Sequence, residues 1–118
     1  MKISKGLLYT KRCIKQEIEW FIVGAKTIMV VSAEIDDVFV EVFNRSGIET
    51  KTFCCRDKTF PNIGIVMVDS KEALIVFGKL TIEPQNQYVF LEKIEGKELK
   101  ALLLDLKVLF SLDCEFKG

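Results

Sequence analysis

The sequence has no histidine and no net charge. Its 118 residues include 17 basic and 17 acidic side chains. Without histidine, the usual side chain for acid–base catalysis near neutral pH is missing. With balanced charge, no global attraction draws the chain to nucleic acid or to an acidic membrane. We therefore expect a non-catalytic protein without a cofactor, although a local basic patch remains compatible with the sequence.

Long apolar runs are also missing. No stretch approaches the roughly 18 apolar residues of a membrane span, and the longest runs, "TIMVVSA" and "ALIVFG", have the length of strands. The first residues, "MKISKGLLYTKRC", contain too short an apolar segment for a secretory signal. The sequence predicts no membrane partner and no secretion; the expected location is the nucleus, or the cytosol in a prokaryote.

Cysteine is present but in no functional spacing. The four cysteines are Cys13, Cys54, Cys55 and Cys114, which form neither a C-x-x-C redox motif nor a zinc site. Adjacent Cys54 and Cys55 would point to opposite faces of a strand. We expect reduced thiols packed in or near the core, and no metal.

Short strand-like runs followed by one helix make up most of the chain, which has the length of a single domain, residues 1–118. Gly24 near the middle of the first run suggests a bulge. Residues 1–19 could form a helical turn or an edge strand, and residues 63–69 are an apolar run of uncertain type. The predicted strands, rich in β-branched and aromatic residues, cover residues 20–31, 38–43, 48–55, 73–80 and 88–94.

The helix predicted over residues 97–112 is apolar on two sides. At about 100° per residue, one apolar arc spans roughly 120° and a second lies roughly opposite. A surface helix needs only one such arc to pack on its own domain. The first arc contains Leu99, Leu102, Leu103, Leu106, Leu109 and Phe110, and the second contains Ala101, Leu104, Val108 and Leu112.

Five strands with glycines at possible bends, then a helix, predict a mainly β fold. A closed barrel would remove the exposed sheet edges. The count and order favour a five-stranded Greek-key barrel, the OB-fold, over about residues 18–95. The helix of residues 97–112 would complete the domain.

Two stretches resemble paired strands of OB-folds. The stretch "VFVEVFNRSGIETKTFCC" is similar to the second and third strands, and "ALIVFGKLTIEPQNQYVFLEKIEG" to the later pair. Together with the helix that follows, they resemble the small and middle OB-fold subunits of replication protein A and their telomere-associated, CST-like relatives. The resemblance implies a non-catalytic subunit of a complex that binds single-stranded DNA.

In those families the C-terminal helix packs beside the barrel and also joins helices of other OB-fold subunits. The resemblance therefore implies that the second arc, Ala101, Leu104, Val108 and Leu112, binds a partner. Its exposure would also leave an apolar patch of the kind that marks association sites. The alternative is that the N-terminal segment of the same chain covers this arc.

Direct contact with single-stranded DNA would need aromatic faces and basic side chains along one path. Phe39 and Phe43 need a second buried environment or a ligand, because Val38, Val40 and Val42 already supply one apolar face of their predicted strand. Glu41 between the two rings would repel phosphate. The candidate residues are Lys26, Phe39, Phe43, Lys51, Phe53, Arg56, Lys58 and Lys79.

Two other functions are compatible with the pattern. A pleckstrin-homology-like domain also ends its strands with one amphipathic helix, and it would bind a phosphoinositide or a protein. It needs about seven strands, so residues 1–19 and 63–69 would both have to form strands. A structural or regulatory dimerisation module that binds no nucleic acid is the third option.

Overall fold

In the described part of the chain, seven strands form one sheet, and three helices lie on its two faces. This computed structural model describes residues 7–55, 62–109 and 114–116, and side chains through residue 105. The strands are β1 (Leu7–Thr10), β2 (Thr27–Ser32), β3 (Glu49–Cys55), β4 (Gly64–Val68), β5 (Glu72–Phe77), β6 (Tyr88–Glu95) and β7 (Cys114–Phe116). The helices are α1 (Lys11–Ile22), α2 (Asp37–Arg45) and α3 (Gly96–Leu109).

The sheet is open, with strand order β1-β6-β5-β4-β2-β3-β7. Only β2 and β3 run parallel; every other neighbouring pair is antiparallel. A mainly β fold with a C-terminal helix is confirmed. The sheet does not close into a barrel, so the OB-fold itself is not confirmed.

Helices cross the sheet on both faces. Helix α1 links β1 to β2 and α2 links β2 to β3, both over one face, whereas α3 links β6 towards β7 over the other. All three crossovers share one hand, as expected for connections between strands of the same direction. Neither the OB-fold nor the pleckstrin-homology-like arrangement of strands followed by one helix describes this interleaved order.

The predicted strand over residues 38–43 is wrong, because this segment is α2. Asp36 caps the helix: its side chain accepts a hydrogen bond from the Val38 N–H at 3.3 Å. Phe39, Val42 and Phe43 have the i, i+3, i+4 spacing of a helix face, and all three are buried. Capping and this spacing override the β propensity of valine and phenylalanine.

The predicted continuous strand over residues 20–31 is also wrong. Trp20 belongs to the last turn of α1, and Gly24 has φ +82°, the left-handed conformation common just after a helix. The chain then enters β2 at Thr27. Gly24 therefore separates a helix from a strand rather than marking a bulge within one.

The structure shows regular secondary structure in the two segments of uncertain type, residues 1–19 and 63–69, within the described part of the chain. Residues 7–10 form an edge strand, and residues 11–22 form a helix that buries Ile14, Ile18 and Ile22, four residues apart. Residues 64–68 form a strand with every side chain buried. The predicted β5–β6 pair is confirmed with antiparallel register.

Two hydrophobic cores lie on opposite faces of the sheet. The first, under α1 and α2, contains Phe39 and Phe43; the second, under α3, contains Ile65 and Leu99. We call these two sides the two-helix face and the α3 face.

The cysteines follow this division. Cys54 lies in the core of the two-helix face and Cys55 in that of the α3 face, so their predicted opposite orientation is confirmed. Cys13 and Cys54 are free. Cys55 is disulfide-bonded, however, and stands opposite Cys114 in the β3–β7 register. The prediction of reduced thiols is wrong for Cys55.

Candidate functional site

Helix α3 has one side on the sheet and another in solvent. Leu99 is 3% exposed, and Leu102 and Leu103 pack partly buried against the core of the α3 face. Ala101 and Leu104 point away from that core, and Leu104 is 64% exposed. Of the four residues of the predicted partner-binding arc, these two lie at the surface. The Val108 side chain and Leu112 lie outside what the structure describes.

The described part of the N-terminal segment does not cover this arc. Helix α1 contributes Ile14 and Ile18 to the core of the two-helix face, which is on the other side of the sheet from α3. Strand β1 lies at the sheet edge beside β6. Residues 1–6 lie outside the described residues. No residue from 7 to 22 therefore covers Leu104.

A second apolar surface lies on the α3 face at the corner made by β1, β6 and β5. Leu8 stands opposite Phe90 in the register, and Phe90 stands opposite Phe77. These side chains are 59%, 41% and 45% exposed, respectively, and Tyr88 beside them is 62% exposed. We call Leu8, Phe77, Tyr88 and Phe90 the corner patch.

Sequence reasoning missed the corner patch. The signal was present in "YVFL", because four consecutive large apolar residues on a strand place two on each face. Val89 and Leu91 are buried under the helices of the two-helix face, which leaves Tyr88 and Phe90 for the opposite face. A closed barrel would bury mainly one side of this strand, whereas the open sheet carries a core on each face.

A polar crevice lies at the carboxyl ends of β2 and β5. It has a volume of about 570 Å³, and a neighbouring hollow of about 600 Å³ shares three of its lining residues, Glu34, Asp36 and Thr81. Such an edge is where open α/β sheets commonly bind ligands. Here the basic groups Lys11 and Lys79 are outnumbered by acidic ones, so the crevice does not favour an anion.

Lys11 is the buried charge of this crevice, with only 4% of its surface exposed. Its Nζ donates to Thr81 Oγ1 and, at 3.5 Å, to the Glu83 carbonyl oxygen. Burial is the main cause that lowers the pKa of Lys11; Glu34 opposes this shift and Lys79 adds to it.

Backbone contacts at the same point explain the position of Lys11. Its N–H donates to the Gln87 carbonyl at 2.8 Å, and the Arg12 N–H donates to the Gln85 carbonyl at 3.3 Å. The start of α1 is therefore tied to the loop between β5 and β6 through both main chain and side chain. Lys11 has a structural role here, since its ammonium is already engaged by the protein.

The predicted nucleic-acid residues do not form one surface. Phe39 and Phe43 are fully enclosed in the core of the two-helix face, so neither ring is available for stacking on a base. Phe53 is half-buried against the core of the α3 face. Arg56 and Lys58 lie outside the described residues.

The predicted lysines are exposed but separated. Lys26 precedes the start of β2, whereas Lys79 follows the end of β5 and pairs with Glu34 at 3.3 Å, beyond the carboxyl end of β2. Lys51 lies within β3 on the α3 face. Lys26 and Lys79 are thus at opposite ends of the sheet and do not share one path.

The described residues contain no group of three or more cysteine, aspartate or glutamate side chains placed to hold a metal ion. Among the helices described, none combines the length and the apolar character that crossing a bilayer requires.

No protein-family model matches the chain, and no curated protein matches it at a significant level.

Proposed function

We propose that this chain is a non-catalytic association domain that binds an amphipathic helix of a partner protein on the outer side of α3. The observation that carries this proposal is the contrast along one helix: Leu99 is 3% exposed and Leu104 is 64% exposed. Both are leucines, but among the described residues only the first is covered. Ala101 and Leu104 are exposed at i, i+3 spacing, the spacing of the apolar anchors by which one helix binds another.

The composition of this surface fits a helical partner. Ala101 is small and Leu104 is large, and both are exposed one turn apart on α3. A small residue beside a large one lets a second helix approach closely and insert its ridge of side chains. Lys100 and Asp105, exposed on the flanks, would pair with mixed charges on the partner rather than with a strongly charged surface.

A complex that handles single-stranded DNA, predicted from the resemblance, remains the proposed setting, with a nuclear location as part of the same proposal. In such a complex we propose that the partner makes the nucleic-acid contacts. This assignment is supported by the enclosed rings of Phe39 and Phe43 and by the separation of Lys26 from Lys79.

The test is purification of the full chain with its partner from the source cells, comparing the wild type with Leu104→Glu. A buried glutamate at the centre of a helix–helix contact should weaken binding about 30-fold or more, the range of a hot spot. The co-purifying protein should be lost from Leu104→Glu and retained by Trp20→Glu. Trp20, on α1, is 63% exposed and is therefore a control of matched exposure on another element.

Circular dichroism would establish that both variants stay folded, as expected for substitutions of exposed side chains. A partner retained equally by Leu104→Glu and the wild type would contradict the proposal. A Leu104→Glu chain that unfolds would contradict it as well, because this arc would then belong to the internal core.

A further inference from the structure

Strand β7 lies at one edge of the sheet and is only three residues long. It pairs antiparallel with β3, and no other described strand pairs with it. Strands of folded proteins usually have roughly five or six residues. So short an edge strand has few hydrogen bonds of its own, and such elements open easily. Strand β7 therefore depends on a further contact to stay on the sheet.

A disulfide bond supplies that contact. Cys55 is disulfide-bonded, and Cys114 stands directly opposite it in the β3–β7 register. Directly opposite residues of antiparallel strands have Cα atoms about 4.5–5.5 Å apart, within the range of about 4.4–6.8 Å that a disulfide spans. Cys13 and Cys54, the other cysteines of the sequence, are free. Within this chain, Cys114 is therefore the residue left to bond with Cys55.

The bridge also anchors the end of α3. Cys55 lies in the core of the α3 face together with Leu99 of the helix. Helix α3 begins directly after β6, and four residues separate its last residue, Leu109, from Cys114. In the strand order β7 is five places from β6, about 24 Å, and the 14 residues of α3 are about 21 Å long. The helix thus crosses its face between one anchor at β6 and a second at β7.

The rest of the fold does not require the bridge. The described core residues of both faces come from elements that precede β7 in the chain. A chain of 118 residues is long enough to bury such cores without a covalent crosslink. Opening of the bridge should therefore release β7 while the remaining six strands stay paired.

We infer that the bond between Cys55 and Cys114 is a reversible redox switch. In the oxidised form it holds β7 on β3 and anchors the end of α3, and in the reduced form it releases both. The chain has two free thiols besides this bridge, whereas secreted domains usually pair their cysteines. This mixture fits a compartment that keeps thiols reduced, where protein disulfides are typically transient and redox-sensing.

The reductant is a thiol such as glutathione or dithiothreitol. Its thiolate attacks one sulfur of the bridge, forms a mixed disulfide and expels the other cysteine as a thiolate, which takes up a proton. A second thiol of the reductant then displaces the remaining cysteine, so the two reductant thiols are oxidised to a disulfide and the bridge gains two electrons. Cys55 is fully buried, so the attack follows local opening of β7.

The test is hydrogen–deuterium exchange of the full chain, measured by mass spectrometry before and after reduction with dithiothreitol. Reduction should accelerate exchange at least about tenfold at residues 53–55, 106–109 and 114–116, because β7 no longer protects the β3 edge or anchors α3. Exchange in β5 and β6 should stay unchanged. Reoxidation with oxidised glutathione should restore the slow exchange.

Two variants separate the bridge from other effects of the reductant. Cys114→Ser cannot form the bridge and should exchange like the reduced wild type under both conditions. Cys13→Ser removes an exposed free thiol and should respond to reduction like the wild type. Alkylation in urea should label only Cys13 and Cys54 in the oxidised wild type, and all four cysteines after equilibration with an excess of reduced glutathione.

Several results would overturn the inference. Labelling of all four cysteines before reduction would show that the chain has no bridge, and a bridge that survives excess glutathione would be permanent. Unchanged exchange after full reduction would mean that β7 is held without the bond. Global unfolding of the reduced wild type or of Cys114→Ser would make the bridge a requirement for folding. The chain is tested alone, so this inference and the proposed partner of α3 can fail separately.

Discussion

The two faces of the sheet are covered to different extents by this chain. On the two-helix face, α1 and α2 enclose a core in which Phe39, Phe43, Ile14 and Ile18 are fully buried. On the α3 face, one helix packs on a second core and leaves the corner patch and its own outer arc exposed. The apolar residues are similar on both faces, so the difference lies in what covers them.

Simple dimensions explain the difference. Seven strands at about 4.8 Å spacing span roughly 29 Å, whereas one helix covers roughly 10 Å of width. Two helices can shield most of such a sheet, but one cannot. A mixed sheet with apolar side chains on both faces therefore needs additional cover where α3 is the only described helix. The proposed contact with a partner helix lies on this side.

The largest expected loss of stability comes from a cavity in the core of the two-helix face. Phe39→Ala should lower the free energy of unfolding by about 3–5 kcal/mol, because it leaves a cavity at a fully buried aromatic side chain. Urea denaturation followed by circular dichroism measures the change.

The Phe39→Ala variant also distinguishes a ring enclosed in the core, as in the structure, from a surface ring that stacks on bases, as predicted from the sequence. A stacking residue at the surface would lose nucleic-acid binding on mutation to alanine while keeping its stability within about 0.5 kcal/mol. That outcome would show that α2 does not pack as described here. Trp20→Ala, at an exposed aromatic residue of α1, is the matched control and should change stability little.

Sequence patterns identified three of the strands and the last helix because their signals are local. Strands β3, β5 and β6 lie close to the predicted ranges, and α3 begins one residue before its predicted start. In these segments β-branched composition or helical spacing agrees with the final structure. The two arcs of α3 were also visible, since the spacing of leucines fixes which residues share a side.

The connection between strands was not predictable by the same means. "VFVEVF" alternates like a strand and also carries the i, i+3, i+4 spacing of a helix, and the cap at Asp36 decides between them. With that segment helical, the connection is long enough for a crossover, β2 and β3 run parallel, and the predicted hairpin and barrel are not formed. The prediction that Phe39 and Phe43 stack on bases is wrong for the same reason. Both side chains project from α2 into the core.

A smaller effect is expected on the α3 face, and it compares two leucines of the same helix. Leu99→Ala should lower the free energy of unfolding by about 2–3 kcal/mol, since Leu99 is 3% exposed and packs on the sheet. Leu104→Ala should change it by less than about 0.5 kcal/mol in the isolated chain. Equal losses in urea denaturation would mean that the chain covers both sides of α3, which removes the contrast between the faces.

The smallest expected change in the free energy of unfolding concerns Lys11. This residue links the start of α1 to the loop between β5 and β6, at one end of the two-helix face. Burial lowers the pKa of Lys11 in the folded protein below the ordinary value of 10.5. Between that lowered pKa and 10.5 the unfolded chain binds more protons than the folded one, so stability rises with pH. Below the lowered pKa both states are protonated, and the contribution stays constant and unfavourable.

Replacing Lys11 removes this dependence of the free energy of unfolding on pH. A comparison of the wild type with Lys11 variants therefore measures it. The free energy of unfolding in urea, taken from about pH 7 to about pH 10.5, should increase with pH in the wild type relative to Lys11→Met. Lys11→Arg, which keeps its charge throughout this range, should lack the relative increase too. Near neutral pH Lys11→Met should differ little from the wild type, because the lost hydrogen bonds to Thr81 and Glu83 offset the relieved burial of a charge. Parallel pH profiles for all three proteins would show that Lys11 is solvated, and that the two-helix face is open at this end.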